Sequence, residues 1–195
     1  KKIVAVSQKE QIEISAELSN CFLVISDTLE KFKPLLSDKI NNEDRKSIMD
    51  GLGKAGSHFR NAIYNVGFSG NKSTVSLQQL QNFIETANQF LEHSIKANKR
   101  ADNLYHAYNL MTSDNDSVQV SHLSEMLEGQ VGVLSSGYLS AEESAELLDA
   151  LKKSSLFRKD QYSYILYPNK NLPGFLEKNS IPKESVEESQ LLKKM

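Results

Sequence analysis

A single cysteine, Cys21, stands in this chain of 195 residues. One cysteine rules out an internal disulfide framework and a cysteine-built zinc site. It fits a reducing compartment, so a cytoplasmic location is expected. Charge of one sign is also missing: the formal net charge is −2, with both signs mixed along the chain. No strong field therefore draws the protein to nucleic acid or to an anionic membrane, and neither is expected as a partner. No apolar run approaches the ~20 residues of a membrane helix. The longest, "CFLVI" at 21–25, reads as the core face of a helix. Histidines at metal-binding spacing are absent too. His58, His93, His106 and His122 are scattered, with no H-x-x-x-H pair, so no metal and no cofactor is expected. Ser135 and Ser136 sit in "LSSG" with no strand before them, which excludes a nucleophile elbow. Cys21, beside Phe22 and without a basic pair, reads as an inert buried thiol.

What is present is helical periodicity. Ile14, Leu18, Phe22, Ile25, Leu29 and Phe32 recur in steps of three and four, so one face of a helix over 7–33 is apolar. Ser7 is placed to cap it, and Pro34 to end it. A second stripe, from Ile48 to Val66, predicts a helix over 43–66, followed by a turn at "GFSGN" (67–71). Ser76 and Gln79 form a capping box for a third helix, whose stripe runs from Leu80 to Ile95. Residues 98–117 break the pattern, as a helix continuation or an ordered loop, and "SDNDS" reads as a surface turn. A helix is expected over 121–134, closed by Gly137 at the C′ position. Ser140 and Glu143 make a second capping box, for a helix through Lys153. No repeat of fixed period appears. The fold class expected is all-α: an irregular array or bundle of about five to seven helices. It divides into a long-helix part over 1–100 and shorter helices over 101–195.

The end of the chain differs. Residues 162–167 hold three tyrosines, and three of the four prolines fall between 168 and 182. A disordered tail does not normally carry so many aromatics. An extended piece at 162–167 and a short helix with Pro173 at its first position are expected, with a last helix near Lys183. Leu172, Phe175 and Leu176 then drop onto something apolar, giving an ordered aromatic strap across the helices. The chain starts with Lys-Lys-Ile-Val and closes just after "SVEESQLLKKM". Both ends look cut, so a region of a larger polypeptide is expected.

Several groups invite a chemical reading beside a structural one. "GLGKAG" (51–56) matches a dinucleotide fingerprint but lacks the preceding strand, so close helix packing is the better reading. Tyr105, His106, Tyr108 and Asn109 combine flat rings with polar tips, which suits polyol recognition or helix-end packing. Glu125 and Glu128 lie three apart on one helix face, as solvated charge or as an acid/base pair. Gln130, with Gly129 and Gly132, suggests a helix that is tightly approached. Asp160 can pair with Arg158, while Tyr162 and Tyr164 share one face of an extended segment.

"LYHAYNL" (104–110), "MLEGQVGVLSSGYLSAEE" (126–143) and "DQYSYILYPNKNLPGFLEKNSIP" (160–182) resemble an internal helical stretch of large, uncharacterised bacterial multidomain proteins. The resemblance covers about the last half of the chain, and those proteins look carbohydrate-related. It implies an excised helical region. It also implies that Tyr105, His106, Asn109, Glu128, Gln130, Asp160, Gln161 and Tyr164 are the polar positions of interest.

Two functional expectations follow. The first is a non-catalytic helical domain with a packing or interaction role, its partner being other domains of a parent polypeptide or a separate protein. The second is a carbohydrate-active domain. There Glu128 and Asp160 are the candidate catalytic carboxylates, and Tyr105, His106, Tyr108, Asn109, Gln130, Gln161, Tyr162 and Tyr164 the candidate ligand-binding residues.

Overall fold

The computed structural model describes residues 10–194. It is 56% helical, with seven α-helices among the described residues, but 14% is strand, in three small antiparallel sheets. The architecture is mixed α and β, which corrects the all-α expectation. Among the described residues no helix is long and apolar enough to cross a membrane.

The first correction falls at the front. Strand β1 (Gln11–Ser15) occupies what the periodicity assigned to a helix, and helix α1 spans only Ala16–Phe32. "QIEIS" alternates apolar and polar residues, a period of two. Ser15, not Ser7, caps α1, its side chain accepting from the Leu18 N–H; Ser7 lies outside the described residues. A 3-10 turn (Lys33–Ser37) follows, with Lys33 in the α region despite the proline after it. Pro34 sits at the start of that turn, where no backbone N–H is needed.

Helix α2 (Asn42–Asn61) ends in a π turn (Ala62–Val66), close to the expected span. "GLGKAG" lies inside it. A Cβ on Gly51 would stand 2.7 Å from Thr28 Cγ2, so this glycine lets α1 and α2 approach. Strand β2 (Lys72–Ser76) pairs with β1, setting Ile12 against Val75. Ser76 then caps helix α3 (Leu77–Ala97) through the expected box with Gln79. Both strands therefore run straight into helices through a capping serine. Phe22 and Phe83 meet edge to face at 5.2 Å, and buried Thr86 bonds Glu30 and Lys33, joining α1 to α3.

Strands β3 (Asn109–Ser113) and β4 (Val118–His122) form a hairpin. Its turn is built by Asp114, whose carboxylate accepts from the Asp116 and Ser117 N–H groups and the Ser117 hydroxyl. Val118 and Val120 alternate with Gln119 and Ser121, so the helix expected from Ser121 gives way to a strand. Helix α4 covers only Leu127–Ser135, and Gly137 has φ +70°, as its C′ place requires. Helix α5 (Ala141–Lys153) carries the Ser140–Glu143 box.

Strands β5 (Phe157–Arg158) and β6 (Ser163–Tyr164) make a small hairpin. Leu104, Leu151 and Leu156 form a buried cluster, with Leu127, Ala150 and Ile165 against it. The strap is fastened here: Ile165 N–H bonds the Leu156 carbonyl, and Leu127 N–H bonds the Leu166 carbonyl. Past this point the expected packing fails. Helices α6 (Phe175–Lys178) and α7 (Lys183–Glu188) are short, and Pro173 precedes the α6 cap instead of starting the helix. Phe175 is 78% exposed and Leu176 84%. Pieces of one or two turns present no continuous apolar stripe to seat along this chain's own helices.

Candidate functional site

The loop after α3 folds back on itself. Arg100 N–H bonds the Leu104 carbonyl, and His106 N–H bonds the Asn98 carbonyl. Lys99 and Tyr105 thus face each other as an isolated antiparallel bridge. The N–H and C=O of Tyr105 point the other way, into the protein. Gln130 meets both: its Oε1 accepts from Tyr105 N–H and its Nε2 donates to Tyr105 C=O, each at 2.9 Å. Nε2 also donates to the Met126 carbonyl. Gln130 is fully buried and acts as a side-chain substitute for a neighbouring strand. A Cβ on Gly129 would lie 2.8 Å from the Ala107 Cβ, so this glycine lets α4 close on the loop.

The predicted site residues fall into two groups. The first gathers around this loop. Tyr105 is buried, and its hydroxyl is pushed up by burial, then by Glu143 and Tyr138. His106 stacks on His122 with ring centroids 4.0 Å apart. Asn109 Oδ1 accepts from His122 Nδ1, and Asn109 Nδ2 donates to Asn98 Oδ1. Tyr108 is exposed at φ +27°. Its hydroxyl bonds Glu128, which raises the tyrosine above its ordinary value. The second group is the β5–β6 hairpin, where the partners are local. Asp160 pairs with Arg158 at 2.8 Å, Gln161 faces Ser163, and Tyr162 and Tyr164 contact Phe157. Lys152 Nζ lies over the Tyr162 ring at 5.6 Å. Tyr162 also has a left-handed backbone, with φ +49°.

A third set joins Glu125 to Arg100, Asp102 and Ser155, which were not singled out from sequence. Arg100 bonds Asp102 through Nε and Nη2, and its Nη1 lies 3.4 Å from Glu125 Oε2. Ser155 donates to Glu125 Oε1 at 2.6 Å. This chain ties the loop to the segments before α4 and before β5. The Arg100 hydrogen bond holds the Asp102 carboxyl below its usual range, while Ser155 first and Arg100 later do so for Glu125. The Arg158 hydrogen bond lowers Asp160 likewise. A general acid needs the opposite shift. Glu125 and Glu128 have different partners, Arg100 with Ser155 for the first and Tyr108 for the second.

Cavities lie beside these groups. One of about 510 Å³ runs between the loop and α5, lined by Asp102, Leu104, Glu146, Asp149 and Lys153. Another, of about 680 Å³, lies between the 3-10 turn and α3, lined by Lys39, Glu92, His93 and Tyr138. Among the described residues no three His, Cys, Asp or Glu side chains gather as metal ligands. No family model matches the chain, and none of the curated proteins does.

Proposed function

We propose that this chain is a non-catalytic interaction domain that binds a protein surface, in its parent polypeptide or on a separate partner, through the apolar segment 166–191. The observation that carries this reading is the exposure of Leu172, Phe175, Leu176 and Leu191, together with Leu166 and Tyr167. Each such side chain gains about 1.5–3 kcal/mol when fully buried. The segment is anchored at Leu166 and broken by Pro168, Pro173 and Pro182. It is thus presented to a partner instead of folded onto its own helices. The carboxylates also support a non-catalytic role: Asp102, Glu125 and Asp160 are each held low by a cation or a hydroxyl.

The test is amide hydrogen exchange at 166–191, in this chain alone and in the native protein from its source. Protection at Phe175 and Leu176 that rises about a hundredfold in the native protein, and is lost in Phe175→Ser/Leu176→Ser, supports the reading. Equally fast exchange in both overturns it.

A second reading, a carbohydrate-contacting surface, is favoured by Tyr108. This bulky residue holds a left-handed backbone with its ring exposed and its hydroxyl on Glu128. Such strain costs about 1–3 kcal/mol and collects at ligand sites. Glucose, cellobiose and N-acetylglucosamine are the probes. Saturable NMR shifts at Tyr108 and Glu128, absent in Tyr108→Ala, support it; unchanged spectra at millimolar sugar remove it.

A further inference from the structure

The 98–106 loop and the β3–β4 hairpin meet at two face-to-face imidazoles. The His106 and His122 rings are 8° from parallel, with centroids 4.0 Å apart. Neutral rings attract at this spacing, whereas two imidazolium ions repel. The hydrogen bonds around them run in one direction. Asn98 Nδ2 donates to the Ser94 carbonyl, Asn109 Nδ2 to Asn98 Oδ1, and His122 Nδ1 to Asn109 Oδ1, each at 2.8 Å. Asn109 Oδ1 is the acceptor in this relay, so the neutral His122 ring carries its proton on Nδ1. His106 is placed differently. Its Nδ1 is shut from solvent and has no hydrogen-bond partner, so an N–H formed there has nothing to donate to.

The titratable and charged groups facing His106 are His122 on β4 and, from its own loop, Arg100 and Asp102. Arg100 in turn reaches Glu125 ahead of α4. Burial first, then His122 and Arg100, hold the His106 ring below the ordinary histidine range; the Leu123 backbone and Asp102 pull the other way.

We propose that the His106–His122 stack is a proton-operated latch, holding the β3–β4 hairpin against the 98–106 loop at neutral pH and releasing it in acid. The opened state binds protons more readily than the closed one, because His106 is depressed only when closed. Closure is therefore complete above the ordinary histidine value of about 6.5, weakens as pH falls below it, and is lost through the lowered value of His106. Asp102 and Glu125 stay charged across this window, since both are held below the usual carboxylate range. They do not drive the change.

The experiment follows histidine ring protons by NMR and amide exchange over 109–122 in the full chain, from about pH 7.5 to about pH 5. After correction for intrinsic exchange, hairpin amides are expected to exchange about tenfold faster at the acid end, in step with His106, while α1 and α2 amides do not change. His106→Phe keeps a flat ring without the titrating group, and cuts the acid response to about twofold or less. His122→Gln keeps a donor for Asn109 without a charge, and lowers the response only in part, since the burial of His106 remains. An unchanged hairpin in acid overturns the latch. So does the full response surviving in either variant, or a loosening shared equally by α1 and α2.

Discussion

Replacing Gln130 with leucine removes the side chain that completes the backbone bonding of Tyr105. The change is close to isosteric and leaves no large cavity, so the loss is mainly polar. Tyr105 N–H and C=O are buried against Gln130, and both bonds are 2.9 Å long. Leaving a buried polar group unpaired costs about 1–3 kcal/mol, so the pair loses about 2–6 kcal/mol, offset by about 1 kcal/mol for the more apolar side chain. A net loss of about 1–5 kcal/mol is expected, set against the about 5–15 kcal/mol that holds a typical domain. Urea unfolding followed by far-ultraviolet circular dichroism and tyrosine fluorescence reads it as a lower midpoint with unchanged slope. Gln78→Leu is the surface control, within about 0.5 kcal/mol of the parent. A loss below about 1 kcal/mol in Gln130→Leu would mean that the loop does not depend on this amide.

The glycines give a paired prediction by the same assay. Gly129→Ala brings a Cβ to 2.8 Å from Ala107 and is expected to cost about 1–3 kcal/mol. Gly53→Ala, inside α2 with nothing within 4 Å, should stabilise by about 0.5–1 kcal/mol. Ser140→Ala breaks the capping box of α5, with an expected loss of about 1 kcal/mol and a lower melting temperature. The Arg100–Asp102 pair sets an acid limb. Asp102 is depressed in the folded state, so its stabilisation is present above the ordinary carboxylate value and is lost as pH falls through the lowered one. Arg100→Leu should flatten stability against pH below about pH 4, as measured by urea midpoints at successive pH values.

The parts of this fold legible in the sequence are those whose determinants are local. Both capping boxes appear where Ser76–Gln79 and Ser140–Glu143 announce them, because all the atoms involved lie within one turn. The strands are harder to see. Ile14 stands one helical turn ahead of Leu18, so a five-residue strand running directly into α1 is absorbed by the helical period. At β4 only Ser121 and His122 fell within an expected helix, and Val118–Val120 lay ahead of it. The histidine stack joins positions sixteen residues apart, and only the return of the 98–106 loop brings them together. The resemblance made Gln130 a ligand candidate; its amide is used on the backbone of Tyr105, a bond that no spacing rule encodes. Tyrosine and proline content suggested a strap, but past Leu166 the helical pieces span one or two turns and leave their apolar side chains exposed.

The interaction role of segment 166–191 is tested most directly by a photo-crosslinker. Benzoylphenylalanine at position 175 in the native protein, with position 170 as a polar control, should give one dominant adduct. That adduct should map to a single acceptor peptide and disappear in Leu176→Ser. No adduct at 175, or scattered products equal to those from 170, would contradict the account.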